Sequence, residues 1–560
     1  MASHGDDNVM TTAFEARETG AEPKSVIDRT ISTSTSGAGE QLDLAQGHQL
    51  RRGLKSRHIQ FMALGGAIGT GLFIGSGQVL AAVGPAPLFM SYIIMMIVVW
   101  DVMNVLAEMT TYLPMKGISI PYFVSRFVEP SLAFATGWNY WYAYAILIAA
   151  ESTAGAIIFQ YWTHSVNVAV WIAIQLIVIL FLNIVAVSWF GEAEFWFASI
   201  KLITIVGIII LSIVLFFGGG PDHDALYFKN WRDPPGAFVP FLSTGSLGRF
   251  LAFWMAFARA GFSFITSPEL IALSAGETMA PRRNIPKAAR RFTWRLLAFY
   301  GFGSLAVGVL VPNDNPRLLS PESNASASPF VIGIQRAGIP VLNHIINAAV
   351  LTSAWSAGNA FCFSGSRVLY SMALNGQAPR LFTRTSRRGV PYVAVLFTLA
   401  IGALAFLNVS NKSAVAFQWF SNISTISGYI AWIVVMITYL RFRKAMAHHG
   451  MLDALPFRTP FQPYMTYFIL FLVVLLTLTN GFQVFVPAQW SVSDFLASYI
   501  TIPIFMALYL GHKIWFRTPF ARRPEDVDVS TGKKEMDELE EMDEKPAARN
   551  WAEKAWFWLA

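Results

Sequence analysis

Two stretches of this chain combine residue types that can do chemistry on an anion or a zwitterion. The first is Gly65-Gly-Ala-Ile-Gly-Thr-Gly-Leu-Phe-Ile-Gly-Ser-Gly77, glycines and hydroxyl residues inside an otherwise apolar run. The second is Gly261-Phe-Ser-Phe-Ile-Thr-Ser-Pro-Glu269, where hydroxyls, a proline and a carboxylate share one segment. Each glycine weakens a helix by about 1 kcal/mol relative to alanine, and Pro268 removes a helix donor. Backbone groups freed in this way become ligands: a half-helix N-terminus offers unpaired N–H groups and the positive end of its dipole to an anion. Side chains add four ionisable groups within apolar runs, Glu151, Lys201, Arg259 and Glu269. Burying such a group in a membrane is expensive, so each is a functional hypothesis by default.

The elements that must position these residues are membrane spans. Hydrophobic residues make up 54% of the chain and charged residues 13%, and mean hydropathy is +0.47, far from the roughly 25% charged residues of soluble domains. About twelve apolar runs are long enough to cross about 30 Å of hydrocarbon; they start near His58, Pro85, Ser131, Val168, Ala193, Ser246, Phe292, Ile339, Pro391, Ala414, Tyr464 and Ser493. The fold class this predicts is an all-α polytopic membrane protein. The net charge of +7 reads as topology and not as a nucleic-acid surface, because the basic residues sit in alternate connections. Arg51, Arg52, Lys55 and Arg57 precede the first span, Arg282 to Arg295 follow the sixth, Arg380 to Arg388 the eighth and Arg441 to Lys444 the tenth. An even number of spans with both termini cytoplasmic fits that bias, and the basic cluster after the sixth span also suits anionic lipid.

Residues 1–50 are polar and read as a disordered cytoplasmic tail, residues 51–515 as the transmembrane domain and residues 516–560 as a cytoplasmic C-terminal tail. Within the domain, spans 1–5 occupy about 58–217, spans 6–10 about 246–441 and spans 11–12 about 464–513. The tail holds the charged run Lys533 to Lys545, read as a solvated segment, and an aromatic end, Trp551 to Leu559, that would suit an interfacial helix. The sequons at Asn324 and Asn408 are expected to face outward. Cys362 is the one cysteine, so the chain forms no internal disulfide.

Three readings of the glycine run compete. A dinucleotide fingerprint needs a strand before its glycines and a different spacing. Helix packing through small-xxx-small faces, Gly65 with Gly69 or Gly71 with Gly75, is the structural alternative. The third is a discontinuous helix at the bilayer midplane, and it is supported by the second interruption in the sixth span, the matching position if the fold is a five-plus-five inverted repeat.

Four stretches carry a family resemblance: Leu54-Lys-Ser-Arg-His-Ile-Gln60 with the glycine run, Gly191-Glu-Ala-Glu-Phe-Trp-Phe-Ala-Ser-Ile-Lys201, Ala275-Gly-Glu-Thr-Met-Ala-Pro-Arg-Arg-Asn-Ile-Pro-Lys287 and Leu351-Thr-Ser-Ala-Trp-Ser-Ala-Gly-Asn359. From His48 to Arg523 the chain resembles fungal amino acid permeases of the yeast amino acid transporter family, in the amino acid-polyamine-organocation superfamily. The resemblance implies twelve helices, a five-plus-five inverted repeat with broken helices 1 and 6, and proton-driven secondary uptake of amino acids with no cofactor beyond the proton gradient.

It also implies a site. Backbone amides of Gly69, Thr70 and Gly71 would hold the substrate carboxylate, and carbonyls of Ala67, Ile68 and Phe264 or Ile265 its ammonium, with Thr266 and Ser267 beside them. Lys201 resembles a family lysine whose ammonium stands where sodium-coupled relatives hold an ion, which makes it the leading proton-coupling candidate, with snorkelling to the interface as the alternative. Glu151 would contact substrate or share the proton. Glu269 would support the unwound segment or a cytoplasmic gate. The family's sixth helix reads Phe-Ser-Phe-x-Gly-Thr-Glu, whereas Phe262-Ser-Phe-Ile-Thr-Ser-Pro-Glu269 is one residue longer and lacks the glycine, so Pro268 is expected to be what frees carbonyls here.

Arg259 lies about 20 Å into its span, where the family more often has a neutral polar residue; it would either bind an acidic side chain of the substrate or pair with Glu151. Of the aromatic residues Trp254, Phe262, Phe264, Trp355 and Phe361, Phe264 is the candidate cap over the substrate. Other partners implied are membrane lipids and, at the tails, ubiquitin and trafficking machinery; nucleic acid is not one. Metal spacing and nucleophile motifs are missing from the sequence, which argues against an enzyme. The remaining alternatives are a sensor built on the permease fold and a carrier of a related amine.

Overall fold

A computed structural model of the protein describes residues 69–113, 120–163, 165–185, 187–269, 281–319, 328–409, 413–534 and 537–538. Among the described residues every regular element is a helix. In chain order the long ones are α1 (Gly71–Val83), α2 (Pro85–Tyr112), α3 (Pro130–Phe159), α4 (Val168–Val185), α5 (Val187–Phe216), α6 (Gly245–Glu269), α7 (Pro281–Leu310), α8 (Leu342–Leu374), α9 (Tyr392–Val409), α10 (Ser413–His448), α11 (Tyr464–Thr479) and α12, the bent pair Val492–Tyr499 and Thr501–Phe516. Among the described residues eight helices are long and apolar enough to cross a membrane, and the pair in α12, bent by 46°, makes a ninth if it is one span. With the shorter α1 and α11, and with α8, a helix stands at each expected span.

Local sequence explains where these helices begin. Gly84 turns the chain between α1 and α2 at φ +89°, and a Cβ there would meet the carbonyl oxygen of Ala237 at 2.7 Å, so only glycine fits. Pro85 and Pro130 then open α2 and α3 at the first helical position, where a missing N–H costs nothing.

Burial sorts the helices into centre and rim. α3 packs along both α8 and α10. α8 escapes a test based on apolarity because Asn347, Ser353, Ser356 and Asn359 are all fully buried in it, polar groups turned to neighbouring helices instead of lipid. The rim is built by α4 and α5, whose Ile177, Phe181, Trp196 and Ile203 are exposed, the all-round apolar surface that hydrocarbon selects.

Both helices expected to be irregular are. α1 starts with a widened π-helical turn over Gly71–Gly75. α6 runs regularly to Ala260, tightens at Gly261–Ser263 and breaks at Thr266, whose φ is +66°. Pro268 is not the device that breaks it. The proline sits in the turn that restarts the helix at 267–269, where its absent N–H is no loss, and the left-handed residue is Thr266.

Two surface expectations change. Asn408 is only 3% exposed, packed in the last turns of α9 against α3 and α4, and is enclosed instead of presented for glycosylation. The C-terminal segment, expected to be a tail from residue 516, is docked on the bundle: Val527 and Val529 are buried, and Tyr112 and Arg126 bond its carbonyls. The N-terminal tail, Asn324 and the stretch Trp551 to Leu559 lie outside the described residues.

Candidate functional site

The carboxylate cradle read from the glycine run meets two other helices. Thr70 is fully buried and donates its hydroxyl to Oε1 of Glu151 on α3 at 3.0 Å. Gly69 lies over the same oxygen, since a Cβ there would be 3.4 Å from it. Oε2 of Glu151 is buried without a hydrogen-bond partner. Lys201 of α5 is 1% exposed and within electrostatic reach of both Glu151 and Glu194, so it does not snorkel to the interface. Gly69 and Thr70 thus lie against Glu151, with Lys201 within electrostatic reach of that carboxylate, while Gly71 faces Ser263. Ala67 and Ile68 lie outside the described residues.

Gly71 joins α1 to the break in α6. A Cβ on Gly71 would stand 2.6 Å from Oγ and 2.7 Å from Cα of Ser263, so the two backbones touch. Tyr92 of α2 clasps the junction, its hydroxyl 2.8 Å from Ser263 Oγ and 3.4 Å from the Gly71 carbonyl oxygen. Tyr300 of α7 donates to the Ser263 carbonyl at 2.8 Å. Tyr92, Tyr300 and Phe264 pack as one aromatic cluster, with ring centroids 5.6 Å and 4.4 Å from Phe264. Phe264 is therefore wall and not an open cap. Ile265 packs against Gly428 of α10, where a Cβ would approach it to 2.3 Å. Thr266 Oγ1 and Ser267 Oγ are buried without hydrogen-bond partners, hydroxyls aligned at the break with capacity to spare.

Other candidates separate from this centre. Glu269 accepts from Trp432 of α10 at 3.1 Å and Tyr140 of α3 at 3.4 Å, which fits the supporting role. Arg259 does not pair with Glu151. Its guanidinium reaches Gln483 at 3.4 Å, lies within electrostatic reach of Asp494 and lines a cavity together with Phe417 and Asn422 of α10. Trp254 donates to Thr479 at 2.9 Å, and Phe361 packs on Tyr144. A cavity of about 30 Å³ at the Gly71–Ser263 junction is lined by these two residues and by Gly75, Gln78, Arg259, Phe262 and Asn422 among others. Among the described residues no group of three His, Cys, Asp or Glu is placed to hold a metal.

Sequence reasoning missed Tyr92, Ser263, Tyr300 and Glu194 as site residues. Tyr92 sits in an apolar run with nothing to mark it. Glu194 had a signal: it precedes Lys201 by two helical turns in Gly191-Glu-Ala-Glu-Phe-Trp-Phe-Ala-Ser-Ile-Lys201, which puts both on one face.

A membrane bundle with two interrupted helices in contact over buried polar groups is the architecture of a small-solute carrier. The family model described as amino acid permease matches residues 58–525, and the chain belongs to that family. It is 58% identical over 513 residues to a proline-specific permease of Emericella nidulans, covering 91% of this chain and 93% of that protein. It is 49% identical over 531 residues to the proline-specific permease of Saccharomyces cerevisiae, covering 92% and 84%. The dicarboxylic amino acid permease of Saccharomyces cerevisiae is 38% identical over 549 residues, covering 96% and 89%. The chain is an integral membrane amino acid permease of the fungal type, a transporter and not an enzyme.

Proposed function

We propose that the protein imports proline across the fungal plasma membrane by proton symport and alternating access, with both termini in the cytoplasm. What carries the choice of substrate is the gap in likeness, 58% and 49% to proline-specific permeases against 38% to dicarboxylic and lysine-specific ones. The site's chemistry is compatible. Amides of Gly69, Thr70 and Gly71 take the carboxylate. Proline's ring nitrogen carries only two N–H groups, which the backbone of Phe264 and Ile265 with the hydroxyls of Thr266 and Ser267 can satisfy.

Motion follows from size. A cavity of about 30 Å³ holds roughly one water, so the Gly71–Ser263 junction must part before an amino acid passes. α1 and α6 would move against α3, α8 and α10, and the substrate carboxylate would take the Thr70 contact that Glu151 holds. Lys201 and Glu151 would carry the coupled proton, with the proton gradient as energy source and no cofactor. The tails would be the address for ubiquitin and trafficking machinery.

The test is uptake of labelled proline, glutamate and lysine in transport-deficient cells at two external pH values, with and without a protonophore. Proline uptake that rises in acid and collapses with protonophore is the expected result. Uptake indifferent to the proton gradient rejects symport, and preference for glutamate or lysine rejects the substrate.

A further inference from the structure

α5 carries two buried ionisable groups, Glu194 at 0% and Lys201 at 1% exposure. Seven residues apart, they share one helix face at about 3.6 residues per turn. The Lys201 ammonium lies within electrostatic reach of two carboxylates, Glu194 on its own helix and Glu151 on α3. Each carboxylate is held by one hydroxyl from a different helix. Ser356 of α8 donates to Oε1 of Glu194 at 2.8 Å, and Thr70 of α1 to Oε1 of Glu151 at 3.0 Å. In both, Oε2 is buried without a hydrogen-bond partner.

Two carboxylates share one lysine in an apolar interior, and a surplus buried charge is costly. One additional proton neutralises the trio. That proton has two seats, and only one of them touches the helix that carries the substrate amides. We propose that Glu194 is the second seat, the residue that receives the coupled proton from the substrate site. In the step, once the moving helices bring the groups into contact, a Lys201 N–H breaks as an O–H forms at Glu194 Oε2, and the neutral amine so formed then takes the proton of Glu151, whose O–H breaks as the Lys201 N–H is restored. One proton moves, Lys201 ends as it began, and no electrons are exchanged. On the topology proposed above α5 starts at the cytoplasmic face, which sets Glu194 about 10 Å nearer the cytoplasm than Lys201 along the helix, the direction an inward proton must travel. Among the described residues, those that act on Glu194 are Lys201 on α5 and Ser356 on α8, with Glu151 on α3 and Thr70 on α1 coupled through Lys201.

This assignment rests on the proton-symport reading, and the experiment separates the two. Wild type, Glu194→Gln and Ser356→Ala are compared for proton-driven proline accumulation over a range of external pH and for proline–proline counterflow, which requires no net proton transfer. Glu194→Gln keeps the oxygen that accepts from Ser356. It should lower driven accumulation about a hundredfold or more and flatten its pH dependence while counterflow persists. Ser356→Ala, which strips only the hydroxyl, should shift the pH profile of accumulation and also keep counterflow; it decides the matter if Glu194→Gln does not reach the membrane. Wild-type pH profiles in both variants overturn the assignment, and so does loss of counterflow in step with accumulation, the mark of a merely structural residue. A wild type whose accumulation ignores the proton gradient overturns the symport reading and the assignment with it.

Discussion

Gly71 and Ser263 place the two interrupted helices in backbone contact, with room for no atom between them: a Cβ on Gly71 would lie 2.7 Å from Ser263 Cα. The contact borders the small cavity beside Arg259, and Thr70, next to Gly71 in the chain, bonds the buried carboxylate of Glu151. Two tyrosine hydroxyls hold Ser263 there, Tyr92 at its side chain and Tyr300 at its carbonyl, and on the transport reading proposed above this junction is the gate.

Gly71→Ala should therefore abolish transport while the protein still reaches the membrane. Relief of a contact below 3.0 Å with backbone needs a shift of α1 or α6 themselves. Gly69→Ala is the control, since its Cβ would stand at 3.4 Å from a carboxylate oxygen, a contact that a side chain can yield. Uptake normalised to surface protein checks both: loss at 71 and retention at 69 with a raised KM is the expected pair.

Tyr92→Phe removes the hydroxyl that bonds Ser263 at 2.8 Å and leaves the ring packed against Phe264 and Tyr300. A net hydrogen bond is worth about 1 kcal/mol, so the closed gate should open roughly fivefold more often. Cys362 is the chain's one cysteine and is buried, so a cysteine placed at Ser421, which lines the cavity, reports opening by its labelling rate. No acceleration in the Tyr92→Phe background would mean that the hydroxyl does not hold the gate.

How much of this was legible depended on distance along the chain. Helix positions follow from apolar length, and both interruptions from glycine, hydroxyl and proline content, so the fold class and the meeting of α1 with α6 were within reach. The exact seat of the break was not. A left-handed threonine at 266 is imposed by packing of Ile265 on Gly428 and of Glu269 on Trp432 and Tyr140, contacts that local propensity cannot foresee. Tyr92 and Ser263 are ordinary residues until tertiary contact joins them. The direction in which Arg259 points is likewise set by helix rotation, and its partner Gln483 lies on a turn after α11 that no motif announces.

Arg259→Gln tests that rotation. A guanidinium beside a polar cavity attracts an approaching carboxylate, whereas an ion pair with Glu151 would be structural. Because Gln483 is the partner, the substitution should raise the KM for proline severalfold with little change in maximal rate or surface expression. Misfolding, or a fall in maximal rate at unchanged KM, would contradict a role at the entrance.

The docked C-terminal segment makes a pH-dependent prediction outside the membrane. Arg126, on the short helix Ile120–Phe127, donates to the carbonyls of Asp528 at 2.7 Å and Thr531 at 2.9 Å and pairs with the Asp528 carboxylate at 3.3 Å. Burial alone would raise the Asp528 pKa, but hydrogen bonds from Thr531 and Ser530 and the charge of Arg126 outweigh it and hold the carboxyl below its ordinary range. A folded-state pKa that is depressed stabilises docking at every pH above the ordinary carboxylate value, and the contribution is lost as pH falls through the folded value. Docking should thus be indifferent to pH changes around neutrality and release only in strong acid. Arg126→Ala removes a nearly buried cation and leaves two carbonyls without their donor, a loss on the order of 2 kcal/mol. Trypsin should then cut between Arg522 and Lys534 about thirtyfold faster than in the wild type at neutral pH, whereas Asp528→Asn, which keeps the carbonyl bonds, should accelerate cleavage far less. Equal cleavage in wild type and Arg126→Ala would show that the segment is not held by this arginine.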